Sequence, residues 1–269
     1  MKNHLVRYGG WALIAGAAEG IGKAFSMLLA EKGQHLVMVD IHKEALHNLS
    51  RQIETTYGVQ TLCITHDLED EHSVHLCMEA IRKIDCRLMI YVAAFSKVRP
   101  FLSNNTNELK RFVHLNSMTP LLLVHDFAEM IGNKGSGGII LMSSLAGLVG
   151  PRYVAPYAAT KAFNIILAEA LYHEFKEKKI DIQACCAGIT LTPTYLTSLG
   201  EKKNQVKNAM KAEKVAISSL QNLGRKAIHI PGWKNRLNYF FLTRILPRSC
   251  SALMVSQYMK KLYPGKEVL

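Results

Sequence analysis

Tyr157 and Lys161 stand four residues apart, and Ser144 lies thirteen residues before the tyrosine. On a helix, a four-residue interval sends two side chains out from one face, so a phenol and an ammonium are presented together. With a serine hydroxyl beside them, these groups can carry a proton to or from an oxygen whose carbon gains or loses hydride. A carbonyl that receives hydride becomes an alkoxide and must be protonated, and a free tyrosine with a pKa of about 10 is a slow proton carrier at neutral pH. A nearby cation stabilises the phenolate and lowers that pKa, while the serine holds the reacting oxygen next to the phenol. An isolated Tyr-xxx-Lys pair also suits an ordinary surface helix, so the reading depends on what stands in register with it.

A hydride needs a carrier, and the N-terminal part of the chain has a place for one. An apolar run at 11–15 leads into Gly16-Ala17-Ala18-Glu19-Gly20-Ile21-Gly22, which opens a helical pattern. Glycines let the backbone turn tightly and approach a pyrophosphate, and the helix N-terminus offers unpaired N–H groups to it. A glycine cluster alone equally suits a plain strand-to-helix turn. Its place after the first strand of a βαβ series selects the dinucleotide. Asp40 ends the second strand, eighteen residues past Gly22. It either hydrogen-bonds the adenosine ribose hydroxyls or caps the helix that begins Lys43-Glu44-Ala45. On the first reading its carboxylate repels the 2′-phosphate of NADP, and Ile41-His42 supplies no arginine to bind one. NAD(H) is therefore favoured over NADP(H). Asp67, after the third strand, suits the adenine edge and a plain cap equally.

These residues need a scaffold of alternating elements. Apolar runs at 11–15, 35–40, 60–66, 87–93, 138–143, 181–186 and 226–230 read as buried parallel strands. Helical periodicity spans 21–32, 43–57, 71–84, 107–131 and 157–179. Seven strands alternating with helices make an α/β fold, a doubly wound parallel sheet in a single domain, 1–269. Residues 193–225 read as a substrate-loop region, with a polar Lys/Asn-rich stretch at 199–211 and a short helix near 213–222. Residues 231–269 form a basic helical extension, helical on either side of Pro247.

In order along the chain, Gly16-xxx-Gly20-Ile21-Gly22, Asn116, Ser144 and Tyr157-Ala158-Ala159-Thr160-Lys161 resemble the motifs of the short-chain dehydrogenase/reductase family, over residues 10–195. The resemblance implies a Rossmann-type sheet in the order 3-2-1-4-5-6-7, a homodimer or homotetramer, and interconversion of a secondary alcohol and a ketone. It implies a catalytic tetrad of Asn116, Ser144, Tyr157 and Lys161. In that tetrad Asn116 holds a water or a backbone kink that links Lys161 to solvent, and Lys161 also binds the nicotinamide ribose. Cofactor contacts carried over with it are Gly16, Ala18, Glu19, Gly20, Ile21, Gly22, Asp40, Asp67, Leu68, Ala93, Ala94, Tyr157, Lys161, Gly188, Thr190 and Thr192.

The chain departs from the family pattern at three places. Ala15 stands for the usual Thr, Tyr91-Val92-Ala93-Ala94 for Asn-Asn-Ala-Gly, and Ala187-Gly188 for Pro-Gly. The second departure puts in doubt the hydrogen bonds that brace the fourth strand. Tyr8-Gly9-Gly10-Trp11, Tyr91-Val92-Ala93 and Gly188-Ile189-Thr190-Leu191-Thr192-Pro193 resemble bacterial 7β-hydroxysteroid dehydrogenases. The stretch 157–183 and the tail after Glu213 are similar to the 17β-hydroxysteroid dehydrogenase and very-long-chain 3-oxoacyl reductase group. Both groups imply a bulky apolar ketone. Asp40 departs from the NADP-using members of each.

Ligands in open α/β sheets sit beyond the carboxyl ends of the strands. Phe95, Val98, Leu145, Leu148, Val149, Tyr153, Ile189, Leu191 and Tyr195 follow strands four to six and are expected to line the cleft, alongside a bland reading of some as core. Such a wall suits a hydroxysteroid or a long-chain 3-oxoacyl compound better than a sugar. The rival class is a catalytically idle NAD-binding sensor or a membrane-associated scaffold. An intact tetrad speaks against idleness.

The net charge of +12 is concentrated near the C-terminus: residues 201–269 hold fourteen Lys/Arg against three acids. From 233 to 248, aromatic and aliphatic residues interleave with Lys and Arg, a pattern that suits an anionic membrane surface, an acyl-CoA, or a packed lid or subunit contact. No nucleic-acid module accompanies it. The six cysteines show neither CxxC spacing nor a Cys/His cluster, so neither a metal site nor a disulfide framework is expected, and Cys185-Cys186 reads as a pair of buried thiols. No secretory signal or membrane-spanning run is evident, which leads to the expectation of a cytoplasmic protein, at most peripheral to a membrane.

Overall fold

The computed structural model describes residues 6–132, 135–199 and 209–264. The middle of the Lys/Asn-rich stretch, 200–208, lies outside the described residues. Seven parallel strands form the main sheet among those described: β1 (Trp11–Ala15), β2 (His35–Asp40), β3 (Thr61–Thr65), β4 (Cys86–Tyr91), β5 (Gly137–Ser144), β6 (Ile180–Ala187) and, at the far edge, β9 (Ile228–His229). Their spatial order is β3-β2-β1-β4-β5-β6-β9, the order expected. Inner strands of a parallel sheet are covered on both faces, which is why Leu36–Val39 and Ile139–Leu141 are apolar without alternation and fully buried. Successive side chains still point to opposite faces. Ala12 and Ile14 join a core with Phe25 and Leu29, while Leu13 and Ala15 join the opposite core with Phe127 and Ile131.

Helices α1 (Gly20–Glu31), α2 (Lys43–Tyr57) and α3 (His72–Arg82) fall close to their expected places. The helix expected over 107–131 is instead interrupted. It runs as α4 (Thr106–Val113), a π turn (His114–Met118) and α5 (Thr119–Gly132). The cause is Pro120, which has no N–H to give to the carbonyl four residues back, that of Asn116. The freed carbonyl accepts from Asn164 Nδ2 at 2.9 Å, and Thr119 N bonds to His114 O across the wider turn. Helix α6 (Ala155–Glu177) starts with Pro156 in its first turn, where a missing N–H costs nothing.

The segment after β6 is more ordered than its loose pattern suggests. β7 (Thr190–Leu191) pairs in parallel with β8 (Met210–Lys211), and α7 (Pro193–Leu199) follows the first of these. Helix α8 (Ala212–Asn222) buries Val215, Ala216 and Leu220 in the same core as Phe25. The chain then continues as α9 (Trp233–Phe240), a π turn (Phe241–Ile245) and, beyond Pro247, α10 (Arg248–Leu262).

Candidate active site

β5 delivers Ser144 to the carboxyl end of the sheet, where the chain bends through a 3₁₀ turn, Leu145–Gly147. Ser144 Oγ caps that turn by accepting from Ala146 N at 3.2 Å. The turn lies directly on the backbone of α6: a Cβ on Gly147 would come within 2.7 Å of Ala162 N. This approach brings Ser144 beside Tyr157, near enough for its hydroxyl to act on the phenol. One turn further along α6, Lys161 is 2% exposed. Its Nζ donates to Met142 O at 2.8 Å and lies 5.6 Å from the centre of the Tyr157 ring. Ser143 Oγ donates to Lys161 O at 2.7 Å, tying β5 to α6 behind the site.

Burial dominates both titrating groups. It pushes the Tyr157 phenol above its ordinary value of 10.0, opposed by the neighbouring Ser144 hydroxyl. It pushes the Lys161 ammonium down to about 8. The expected depression of the phenol by the lysine is therefore absent in this state, because Nζ is turned toward the Met142 carbonyl and desolvation outweighs it. A phenol held in this way keeps its proton at neutral pH and can donate it to an oxygen arriving in the cleft.

Asn116 sits behind the cleft wall, fully buried in the π turn. Its Oδ1 accepts from Phe95 N at 2.7 Å, and its Nδ2 donates to Phe95 O at 2.9 Å and to Thr160 Oγ1 at 3.0 Å. The amide thus pairs with the segment after β4 as a strand would. Tyr91 Oη adds a bond to Leu115 O at 2.6 Å. These contacts supply the bracing that the Tyr91-Val92-Ala93-Ala94 departure put in doubt. Asn116 lies within the π turn, and its carbonyl is held by Asn164, a buried side chain that sequence reasoning missed. Asn116 followed four residues later by Pro120 was the available clue to a freed carbonyl, but nothing local pointed to its partner.

The glycine turn is shaped by close approach. Gly16 has φ +84°, and a Cβ there would lie 2.6 Å from Ala93 N; one on Gly22 would lie 1.7 Å from Gly16 O. The N-cap of α1, Glu19, makes no side-chain cap, so its carboxylate does not compete for the N–H groups that open the helix. These features fit a dinucleotide pyrophosphate. Asp40 is 8% exposed; its Oδ2 accepts from Ala18 N at 2.9 Å and its Oδ1 from His42 N at 3.0 Å, with His42 Nδ1 2.9 Å away. The alternative in which Asp40 caps α2 is not what the fold uses, since the N-cap is His42. Asp67 lines the cleft, and its Oδ1 accepts from Glu69 N at 3.0 Å in the turn before α3, whose N-cap is Glu71.

The cleft along these strand ends has a volume of about 510 Å³. Its wall includes Gly16, Glu19, Gly20, Ile21, Asp40, Asp67, Leu68, Ala93, Ala94, Ser144, Tyr157, Lys161, Gly188, Thr190 and Thr192 from the expected site residues. Ala18 and Gly22 shape the turn from behind it. Of the expected substrate wall, Phe95, Val98, Ile189 and Tyr195 are present. Leu145, Leu148, Val149, Tyr153 and Leu191 are not on it. With the 3₁₀ turn resting on α6, Leu145 and Leu148 pack against the core and Val149 is buried. Tyr153 adopts φ +69° under the Arg152 guanidinium, and Leu191 is exposed in the β7–β8 pair. In their place Ser198 of α7 and Met259 and Tyr263 at the end of α10 close the wall, residues whose reach across the fold has no local signature.

Residues 10–204 match the family described as short chain dehydrogenase. The chain is 30% identical over 233 residues to a 7beta-hydroxysteroid dehydrogenase of Collinsella aerofaciens, covering 86% of this chain and 89% of that one. It is 29% identical over 189 residues to a very-long-chain 3-oxoacyl-CoA reductase of Neurospora crassa, covering 68% and 57%. A structure solved for 7beta-hydroxysteroid dehydrogenase stereoselectivity superposes with a TM-score of 0.87 at 27% identity, covering 93% of this chain and 98% of that one. The chain belongs to the short-chain dehydrogenase family and is an NAD(P)-dependent oxidoreductase acting on the CH–OH group of its donors. The relatives match both subgroups whose motifs it shares. Among the described residues no helix is long and apolar enough to cross a membrane.

Proposed function

We propose that this chain interconverts a secondary alcohol and a ketone on a bulky apolar compound, of hydroxysteroid or long-chain 3-oxoacyl type, using NAD(H). The observation that carries the reading is the meeting of Ser144, Tyr157 and Lys161 at the floor of an otherwise largely apolar cleft, with Lys161 buried. The nicotinamide supplies or accepts the hydride when bound. Tyr157 gives its proton to the nascent alkoxide in reduction and takes it back in oxidation. Ser144 holds the substrate oxygen, and Lys161 sets the charge under the phenol. Asn116 acts as a positioning residue through Phe95 and Thr160. Phe95, Ile189, Tyr195 and Met259 favour an apolar ring system or chain over a sugar.

The cofactor is held by the glycine turn, Asp67–Leu68, Ala93–Ala94 and Gly188–Thr192. Asp40 supports NAD: its carboxylate faces the cleft where the adenosine ribose is expected and would repel a 2′-phosphate. A single domain carrying its own covering segments, and a homodimer, complete the reading. Exposed Val113, Met118, Leu122, Phe163 and Ile166 on the α4–α5 and α6 side support the dimer.

The test is NADH oxidation with a panel of ketosteroids and 3-oxoacyl thioesters, beside Tyr157→Phe. Turnover by the wild type that falls by about a hundredfold or more in the variant, with NADH binding unchanged by fluorescence, is expected. NADH binding without oxidation by any ketone would favour the sensor reading instead.

A further inference from the structure

The C-terminal helices show a surface that the catalytic reading leaves unused. Trp233, Leu237, Phe240, Phe241 and Ile245 follow one another at intervals of a helical turn along α9 and its π turn, and all are between 47% and 64% exposed. Leu253 and Met254 of α10 are exposed as well. Soluble surfaces rarely leave such a contiguous apolar stripe uncovered without a partner. Residues 231–264 carry six Lys or Arg and no Asp or Glu. Lys234, Arg244 and Arg248 flank the stripe and are exposed.

The charge selects among the occupants. A second copy meeting this face about a two-fold axis would oppose two cationic surfaces with no acid on either to pair them. A bound anionic substrate such as an acyl-CoA would draw cations to the cleft, yet among the described residues the lysines and arginines lining it are Arg111 and Lys161, neither from this region. Aromatic and aliphatic residues bordered by Lys and Arg match the headgroup boundary of an anionic bilayer, where rings sit at the interface and cations meet lipid phosphates. We propose that α9, its π turn and α10 form an interfacial docking surface for an anionic membrane. The inner side of α10 reaches the cleft through Met259 and Tyr263, so docking places the covering of the cleft at the lipid boundary.

The proposal is tested with the full chain and vesicles of phosphatidylcholine, with or without phosphatidylserine, by co-sedimentation and by Trp233 emission. Binding to the phosphatidylserine vesicles is expected, with a blue shift of Trp233 and release at high salt. Lys234→Glu and Arg244→Glu are each expected to weaken binding about fivefold or more, and Leu237→Glu with Phe240→Glu to abolish it. Leu102→Glu, an exposed apolar position outside these helices, should leave it unchanged, and circular dichroism checks that each variant folds. Failure to bind phosphatidylserine vesicles, equal binding to neutral ones, or Leu237→Glu with Phe240→Glu dissociating an oligomer in sedimentation velocity would each overturn it. None of these readouts requires turnover, so they stand apart from the catalytic reading.

Discussion

Replacing Lys161 with Met should abolish turnover and at the same time make the protein more stable at neutral pH. A lysine ordinarily titrates at 10.5, and burial lowers Lys161 to about 8. At about 1.36 kcal/mol per pH unit, keeping this group charged inside the fold at pH 7 costs about 3 kcal/mol. Methionine has a similar length and carries no charge, so the substitution recovers that cost. Against this stands the hydrogen bond from Nζ to Met142 O, worth about 1 to 2 kcal/mol. The net gain is about 1 to 2 kcal/mol, a few degrees in Tm for a chain of this size.

The gain carries a pH signature. Above about 8 the folded wild type sheds the Lys161 proton while the unfolded chain still holds it up to about 10.5, so wild-type stability rises with pH across that window. Titrations shared by both proteins cancel, and the advantage of the variant should shrink by about 2 kcal/mol between pH 7 and about 9.5. Urea denaturation of both proteins at the two pH values measures it. A Met variant less stable than wild type at pH 7, or a difference that does not change with pH, would refute the reasoning that desolvation dominates at this lysine.

Asp40→Ala should raise KM for NAD about tenfold and narrow its preference over NADP, since a charged acceptor for the ribose is lost. Comparable turnover of the wild type with both cofactors would show that Asp40 does not select. Gly22→Ala should prevent cofactor binding and lower stability by about 2 kcal/mol or more, because its Cβ would lie 1.7 Å from Gly16 O; NADH fluorescence titration and thermal melts check both. Asn116→Leu leaves Phe95 N and O without their amide partner, at a cost of about 2 to 4 kcal/mol. Turnover should fall more than KM rises, and Asn164→Leu should do the same more weakly by releasing the Asn116 carbonyl.

Much of this protein is written locally. The alternation of strands and helices follows from apolar runs and helical periodicities, each a property of a few neighbouring residues. The glycine turn follows from backbone angles and close approaches that only glycine tolerates. The four-residue spacing of Tyr157 and Lys161 and their register with Ser144 are also local, and they suffice to name the chemistry. Tertiary structure decided what depends on partners distant in the chain. Pro120 could announce a freed carbonyl, but only packing brought Asn164 to it. The Tyr91 and Asn116 contacts that brace the chain after β4 exist because α4, the π turn and α6 are folded against that segment. Leu145 and Tyr153 looked like cleft residues by position, and Met259 and Tyr263 took the place because α10 returns over the strand ends. The lowered pKa of Lys161 is likewise not a property of its motif. Desolvation is set by everything packed around a group, and no stretch of sequence near Lys161 records how completely the surrounding strands and helices exclude water from it.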